Sequence, residues 1–250
     1  MTIHIDNLSS GYDRHPVVHH VSGSFADSSL TAVVGPNGGG KSTFLKTLIG
    51  FVPLMTGSID MDGITPDEIA YLPQKFEIDR TFPIKVIDVV QLGHWPRLGA
   101  LGRIRKSHKI EALKALEQVE MTTFAERPII SLSTGQWQRV LFARLIVQRA
   151  RLILLDEPFA AIDGHTTHEL MLDLKRWCSE GVTIICVMHD LNLVRDHFPQ
   201  TLVLARELIA WGDTKVSLCS ENMERALELA GKWTESSEVC ETNGGERYAR

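Results

Sequence analysis

Ile3, Ile5 and Leu8 are interleaved with polar residues, which predicts an amphipathic strand ending at the turn signal Ser9-Ser10-Gly11. Leu30-Thr31-Ala32-Val33-Val34 has the composition of a buried strand, and it runs directly into the glycine-rich stretch Gly35–Gly40. A helix follows, with Phe44, Leu45, Leu48 and Ile49 apolar and Gly50 as its stop. Residues 57–74 read as short strands and turns ending in Ile69-Ala70-Tyr71-Leu72-Pro73-Gln74. The pattern then becomes helical over 84–150. Ile110, Leu113, Leu116 and Val119 mark one helix with Ser107 as N-cap, Trp95–Lys106 is a Gly- and Arg-rich loop, and a second helix near Gly135 carries Trp137, Val140, Leu141 and Leu145 on one side. Strand signals resume at Leu152–Leu155 and Val182–Met188, separated by a helix with Leu170, Leu174 and Trp177. A hairpin is expected over Leu202–Ala205 and Leu208–Trp211. Ser220 is expected to cap a last helix with Met223, Ala226, Leu227 and Ala230, stopped by Gly231, and residues 232–250 to be loose.

This alternation describes an α/β chain with a helical insertion. The 250 residues, 44% apolar and 23% charged, are enough for one large domain plus a subdomain. The net charge of −5 argues against a freestanding nucleic-acid binder. The four cysteines have no C-x-x-C spacing and read as reduced thiols. No apolar run approaches the ~18 residues of a membrane span, and Met1–Leu8 lacks the pattern of a signal peptide, so a soluble chain is expected unless a partner holds it at a membrane.

The candidate chemistry is phosphate chemistry. Gly35-x4-Gly40-Lys41-Ser42 lies between a strand and a helix, the context that a P-loop requires. Triphosphate oxygens need many donors at close range, and glycines let backbone N–H groups turn inward with no Cβ in the way. The following helix adds its positive end, Lys41 can reach the β/γ oxygens, and the Ser42 hydroxyl can ligate Mg²⁺. Leu152–Leu155 then leads to Asp156-Glu157, two carboxylates at the C-terminal edge of a buried strand, where open parallel sheets bind ligands. Asp156 is placed to bind Mg²⁺ through water and Glu157 to polarise the attacking water. Leu132-Ser133-Thr134-Gly135-Gln136 sits at a loop-to-helix junction and reads either as a helix cap or as a second anion site. His189, just past a strand, reads either as a structural residue or as a ligand of the γ-phosphate.

Taken in order, these motifs resemble the ATP-binding-cassette (ABC) ATPase family to about residue 220. They are a Walker A segment (Gly35, Pro36, Asn37, Gly38, Gly39, Gly40, Lys41, Ser42, Thr43), a Q-loop at Gln74, a signature at 132–136, and a Walker B strand with Asp156 and Glu157. A D-loop at Ala161-Ile162-Asp163 and a switch histidine at His189 complete the set. The resemblance implies a P-loop NTPase core with an antiparallel β-subdomain (1–84 and 151–220), an inserted helical subdomain with the signature (85–150), and a C-terminal helix and polar tail (221–250). It implies ATP and Mg²⁺ as ligands, with Ser42, Gln74 and Asp156 around the metal, Glu157 as general base and Tyr12 against adenine, although a lone Tyr after a turn equally reads as surface packing. It further implies a head-to-tail homodimer in which Ser133, Gly135 and Gln136 act in trans and Asp163 joins the two sites. The family usually has Gly where this chain has Thr134, a cost if the backbone there needs positive φ. Gly39 falls on a variable position.

The chain carries no fused membrane domain, which implies separate permease subunits, an extracytoplasmic binding protein and a peripheral place on the cytoplasmic face of the membrane. Ile69–Gln74, Asp79, Phe82–Val86, Val89-Val90-x-x-Gly93 and Glu157-Pro158-Phe159-Ala160 are most similar to the zinc/manganese/iron importer group, with siderophore-complex importers next and soluble non-transport cassettes behind. The ten histidines, including the His15/His19/His20 and His165/His168 groups, show no converging zinc set, and the same holds for Cys240 and its neighbouring glutamates.

Overall fold

The computed structural model describes residues 2–13, 15–74, 82–99, 102–160 and 162–235, with side chains to 231. In chain order the strands are β1 (Ile3–Tyr12), β2 (His15–Phe25), β3 (Leu30–Val34), β4 (Leu54–Asp60), β5 (Ile69–Leu72), β6 (Leu152–Asp156), β7 (Thr183–Val187), β8 (Gln200–Ala205) and β9 (Glu207–Asp213). The helices are α1 (Lys41–Leu48), α2 (Val86–Gln91), α3 (Trp95–Leu98), α4 (Lys106–Gln118), α5 (Thr134–Gln148), α6 (Gly164–Ser179), α7 (Leu191–His197), α8 (Thr214–Ser217) and α9 (Ser220–Glu235).

The strands form one sheet in the order β4-β1-β2-β9-β8-β3-β7-β6-β5. Its β8-β3-β7-β6-β5 part is parallel, whereas β1 pairs antiparallel with both β2 and β4. The parallel strands β3, β6 and β7 are buried along their whole length, as expected of a sheet covered on both faces. Their period of two divides the side chains between two cores. Val33, Leu152, Leu154, Ile185 and Val187 pack with Phe44, Leu45 and Leu48 of α1. Ala32, Val34, Ile153, Leu155, Ile184 and Cys186 face the opposite core, built on α2, α4, α5 and α6. The helices α2–α5 all lie between β5 and β6 in the chain, and Phe142 of α5 meets Phe159 and Trp177 at ring-centroid distances of 6.2 Å.

Several sequence expectations are corrected here. Ser9-Ser10-Gly11 is not a turn, because β1 continues to Tyr12 with register shifts at Leu8, Ser10 and Gly11, and the chain reverses at Asp13, whose φ is 49°. A Cβ on Gly11 would strike the His15 carbonyl across the hairpin, so this glycine permits close approach. Ser107 lies inside α4, whose N-cap is Arg105, and Ile110 is exposed because the buried stripe is Ala112, Ala115, Leu116 and Val119. Within the expected 95–106 loop, Trp95–Leu98 is helical. In the last helix Ser220 is already helical, Leu227 is exposed, and the inward residues are Met223, Ala226 and Leu229. Gly231 does not stop this helix, which runs to Glu235. A single helical glycine costs only about 1 kcal/mol relative to alanine. The loose tail beyond it, and Cys240, lie outside the described residues.

His94 shows how the helical insertion is pinned. The ring is buried, Nε2–H donates to the His108 carbonyl, and Nδ1 accepts from Arg97 at 3.1 Å. Burial, above all, holds its pKa below 6.5, and Arg97 adds to the depression while Glu111 opposes it. His19 and His197 are depressed as well, again chiefly by burial. A ring that protonates less readily when folded favours the folded state above 6.5 and loses that contribution as the pH falls through the folded pKa. The melting temperature is therefore expected to drop as the pH falls below 6.5, and His94→Gln to make that slope shallower in a pH series of thermal melts.

Candidate nucleotide site

The site begins where β3 ends. Gly35 has a φ of 149°, and a Cβ there would collide with the Leu204 carbonyl at the end of β8. The loop is braced on the same side by Arg206 N–H, which donates to the Gly39 carbonyl at 2.8 Å, while His19 N–H donates to the Arg206 carbonyl at 2.7 Å. A Cβ on Gly39 would stand 2.9 Å from the carbonyls of both Leu204 and Pro36, so this position is tighter than a variable one suggests. Gly40, with φ 86°, opens α1 without any side-chain cap and without an acidic residue in the first turn. The first N–H groups of α1 are thus left for an anion.

An open cavity of about 570 Å³ lies over this helix end, lined by Asn37, Gly38, Gly39, Gly40, Lys41, Ser42, Thr43, Gln74, Glu157 and His189, with Val17 as a wall. The Lys41 ammonium donates to the carbonyls of Gly35 and Pro36, both at 2.9 Å. Burial lowers its pKa, and the charges of Glu157 and Asp156 oppose that effect. Ser42 Oγ donates to Asp156 Oδ1 at 3.0 Å. Asp156 is 2% exposed, and burial pushes its pKa up against the hydrogen bond from Ser42. Next to it Glu157 has a φ of 53°, the left-handed region that non-glycine residues avoid, and its N–H donates to the Val187 carbonyl at 3.2 Å. This twist aims the two neighbouring carboxylates apart. Glu157 Oε2 accepts from Gln74 Nε2 at 2.7 Å, and Oε1 is hydrogen-bonded to His189 Nε2.

A hydroxyl beside a buried carboxylate, with a carboxamide close by, is a hard oxygen set suited to Mg²⁺. Glycine backbone, an uncapped helix end and a lysine together suit phosphate oxygens.

The other expected residues lie elsewhere. Tyr12 is exposed at the end of β1 and does not line the cavity. Ser133, Gly135 and Gln136 also lie off it, at the start of α5. There Ser133 Oγ accepts from Gln136 N–H at 3.2 Å, and Gln136 Oε1 accepts from Ser133 N–H at 3.0 Å, a capping box. Thr134 is the first helical residue and is not among the described residues with positive φ, so the expected strain at this departure is absent. Asp163 caps α6 through Thr166 and lies 4.0 Å from where a Gly135 Cβ would be. Those hydrogen bonds from Thr166 hold the Asp163 carboxyl below its usual range, with Arg139 adding to the effect. Ala161 lies outside the described residues, as does Asp79.

Sequence reasoning missed Val17, Leu204 and Arg206. The last two act through backbone atoms, so no residue type announces them. Arg139 was missed as well, although it ties α5 to α6 through Thr166 at 3.0 Å and Glu169 at 2.8 Å. Among the described residues no group of histidine, cysteine or carboxylate side chains could hold a metal ion by itself, and no helix is long and apolar enough to cross a membrane.

Comparison with known proteins agrees with this geometry. Residues 18–160 match the ABC transporter family. The manganese transport system ATP-binding protein MntB of Listeria innocua is 41% identical over 90% of this chain and 95% of its own. The zinc transport system ATP-binding protein TroB of Treponema pallidum is 37% identical over 90% of this chain and 86% of its own. Among solved structures, a metal-chelate type ABC transporter in an inward-facing conformation superposes with a TM-score of 0.80 at 29% identity, covering 91% of this chain and 89% of that one.

The capping box yields a test. Ser133→Ala removes the acceptor for Gln136 N–H and is expected to cost about 1 kcal/mol of stability, seen as a lower urea midpoint at unchanged slope.

Proposed function

The chain belongs to the ABC transporter family as an ATPase subunit, and from that premise we propose that it energises an importer for manganese- or zinc-type metal ions. The observation that carries the hydrolytic half of this reading is the convergence of Gln74, Glu157 and His189 on the cavity over α1. In this reading the N–H groups of the glycine loop and the Lys41 ammonium hold the β- and γ-phosphates, with Lys41 exchanging the Gly35 and Pro36 carbonyls for phosphate oxygens. Ser42, Asp156 and Gln74 would hold Mg²⁺, which would supply positive charge to offset that of the triphosphate. Glu157 takes a proton from the water that attacks the γ-phosphorus as the bond to the bridging oxygen breaks and ADP leaves. For that, the carboxylate must give up its hydrogen bonds to Gln74 and His189, and His189 then turns to the γ-phosphate.

The uncapped α1 and the capped α5 support a second copy. One subunit offers an open anion site at Gly40, and the signature residues Ser133, Gly135 and Gln136 lie away from it. Head-to-tail pairing would bring the signature of each copy to the phosphates of the other, with Asp163 between the sites and Tyr12 against adenine. Permease subunits in the membrane, a peripheral position on its cytoplasmic face and an extracytoplasmic metal-binding protein complete the assembly. An importer of siderophore-type chelates is the second reading, favoured by the likeness to the metal-chelate transporter. The higher identity to the manganese and zinc system proteins supports the first.

Glu157→Gln is expected to lower ATP turnover by roughly 10²–10⁴-fold while ATP still binds and accumulates a dimer on size-exclusion chromatography. Unchanged turnover would remove Glu157 from its role. Cells lacking this chain are expected to lose high-affinity uptake of radiolabelled manganese or zinc with chelate uptake intact, and the opposite pattern would favour the second reading.

A further inference from the structure

One polar atom next to the metal-binding carboxylate has no role in the reaction as described. The Tyr71 hydroxyl is buried and has no hydrogen-bond partner among the described residues, and a buried polar group left unpaired calls for an explanation. Its placement follows from the sheet register. Tyr71 stands opposite Leu154 in the parallel β5–β6 ladder, and both pack on the α1 side of the sheet. Asp156 is two residues beyond Leu154, so the strand period puts its carboxylate on that same face, where Ser42 of α1 meets it.

The tyrosine side chain therefore extends along the sheet toward Asp156, and Phe51 stands edge-on to its ring at 6.1 Å. The phenol lies beside the Asp156 carboxylate and faces it as a donor, without reaching ordinary hydrogen-bond geometry. A phenol is protonated at neutral pH, so the group is a proton donor. The carboxylate has about four lone-pair directions and takes one side-chain donor, Ser42.

We propose that Tyr71 is a positioning residue for the metal–nucleotide site, donating its O–H to the Asp156 oxygen that Ser42 does not use and so fixing the tilt of that carboxylate toward the water shell of Mg²⁺. The proposal rests on the reading of Asp156 as the residue that holds Mg²⁺. Partners in this outer layer orient the groups that face the metal, and their loss typically weakens metal binding by ten- to a hundredfold.

The test uses Mn²⁺ as a spectroscopic stand-in for Mg²⁺. Electron paramagnetic resonance of the full chain with ATP measures the affinity for the metal, and a fluorescent ATP analogue in EDTA measures the nucleotide alone. Tyr71→Phe keeps the ring and its packing. It is expected to weaken Mn²⁺ binding roughly tenfold, with metal-free nucleotide affinity and the melting temperature unchanged. Asp156→Asn is expected to weaken metal binding further, and adding Tyr71→Phe to it to change nothing more. Unaltered Mn²⁺ affinity in Tyr71→Phe, with Asp156→Asn defective, overturns the role of Tyr71 alone. An additional loss in the double variant also overturns it, because the tyrosine would then act other than through Asp156. Normal metal binding in Asp156→Asn would sink the underlying reading of the metal site, and this proposal with it.

Discussion

The contact on which the site depends is the fit of a side-chain-free loop beneath the end of a neighbouring strand. Gly35 lies so close to the Leu204 carbonyl that any Cβ would displace one or the other. Because the loop is pressed there, and Arg206 holds Gly39 from the same turn, α1 starts in one place with its first N–H groups uncovered. The position of Ser42 against Asp156 follows, since α1 is clamped to β3 and β6 through Phe44, Leu45 and Leu48. The chemistry is therefore anchored by β8 and β9, which contribute none of its side chains.

A second regularity is that the polar groups at the site are engaged with one another. Lys41 rests on loop carbonyls, Ser42 on Asp156, and Glu157 holds both Gln74 and His189. Buried charge is costly without partners, so such groups exchange internal contacts for external ones when a ligand arrives. The net gain on binding is the difference between two sets of good hydrogen bonds, which permits tight recognition without leaving the empty protein unstable.

The parts of the fold legible in the sequence were those whose physics is local. Leu30–Val34 and Leu152–Leu155 announced buried strands, and Gly35–Gly40 announced a tight strand-to-helix loop because backbone geometry there demands particular residues. The failures came where tertiary pairing overrode a local signal. Ser9-Ser10-Gly11 has turn chemistry, yet strands on both sides of β1 absorb those residues through bulges. Ser107 could have capped a helix, but the chain enters α4 two residues earlier. Gly231 could have ended one, but nothing after it forbids the helix to continue. Thr134 implied strain only under an assumed backbone conformation, and helix α5 starts early enough to make the position ordinary. Leu204 and Arg206 were illegible in principle, since any residue supplies a carbonyl and any but proline a backbone N–H.

Glu157 occupies a left-handed backbone position that glycine would fill more comfortably, so the carboxylate is kept at a conformational cost. Selection for endurance alone would push this position toward residues that relax the turn, and on the proposed reading of Glu157 as general base the chain would become sturdier and idle together. The fold could then survive in descendants that have stopped working, with this one position as the earliest trace of the change.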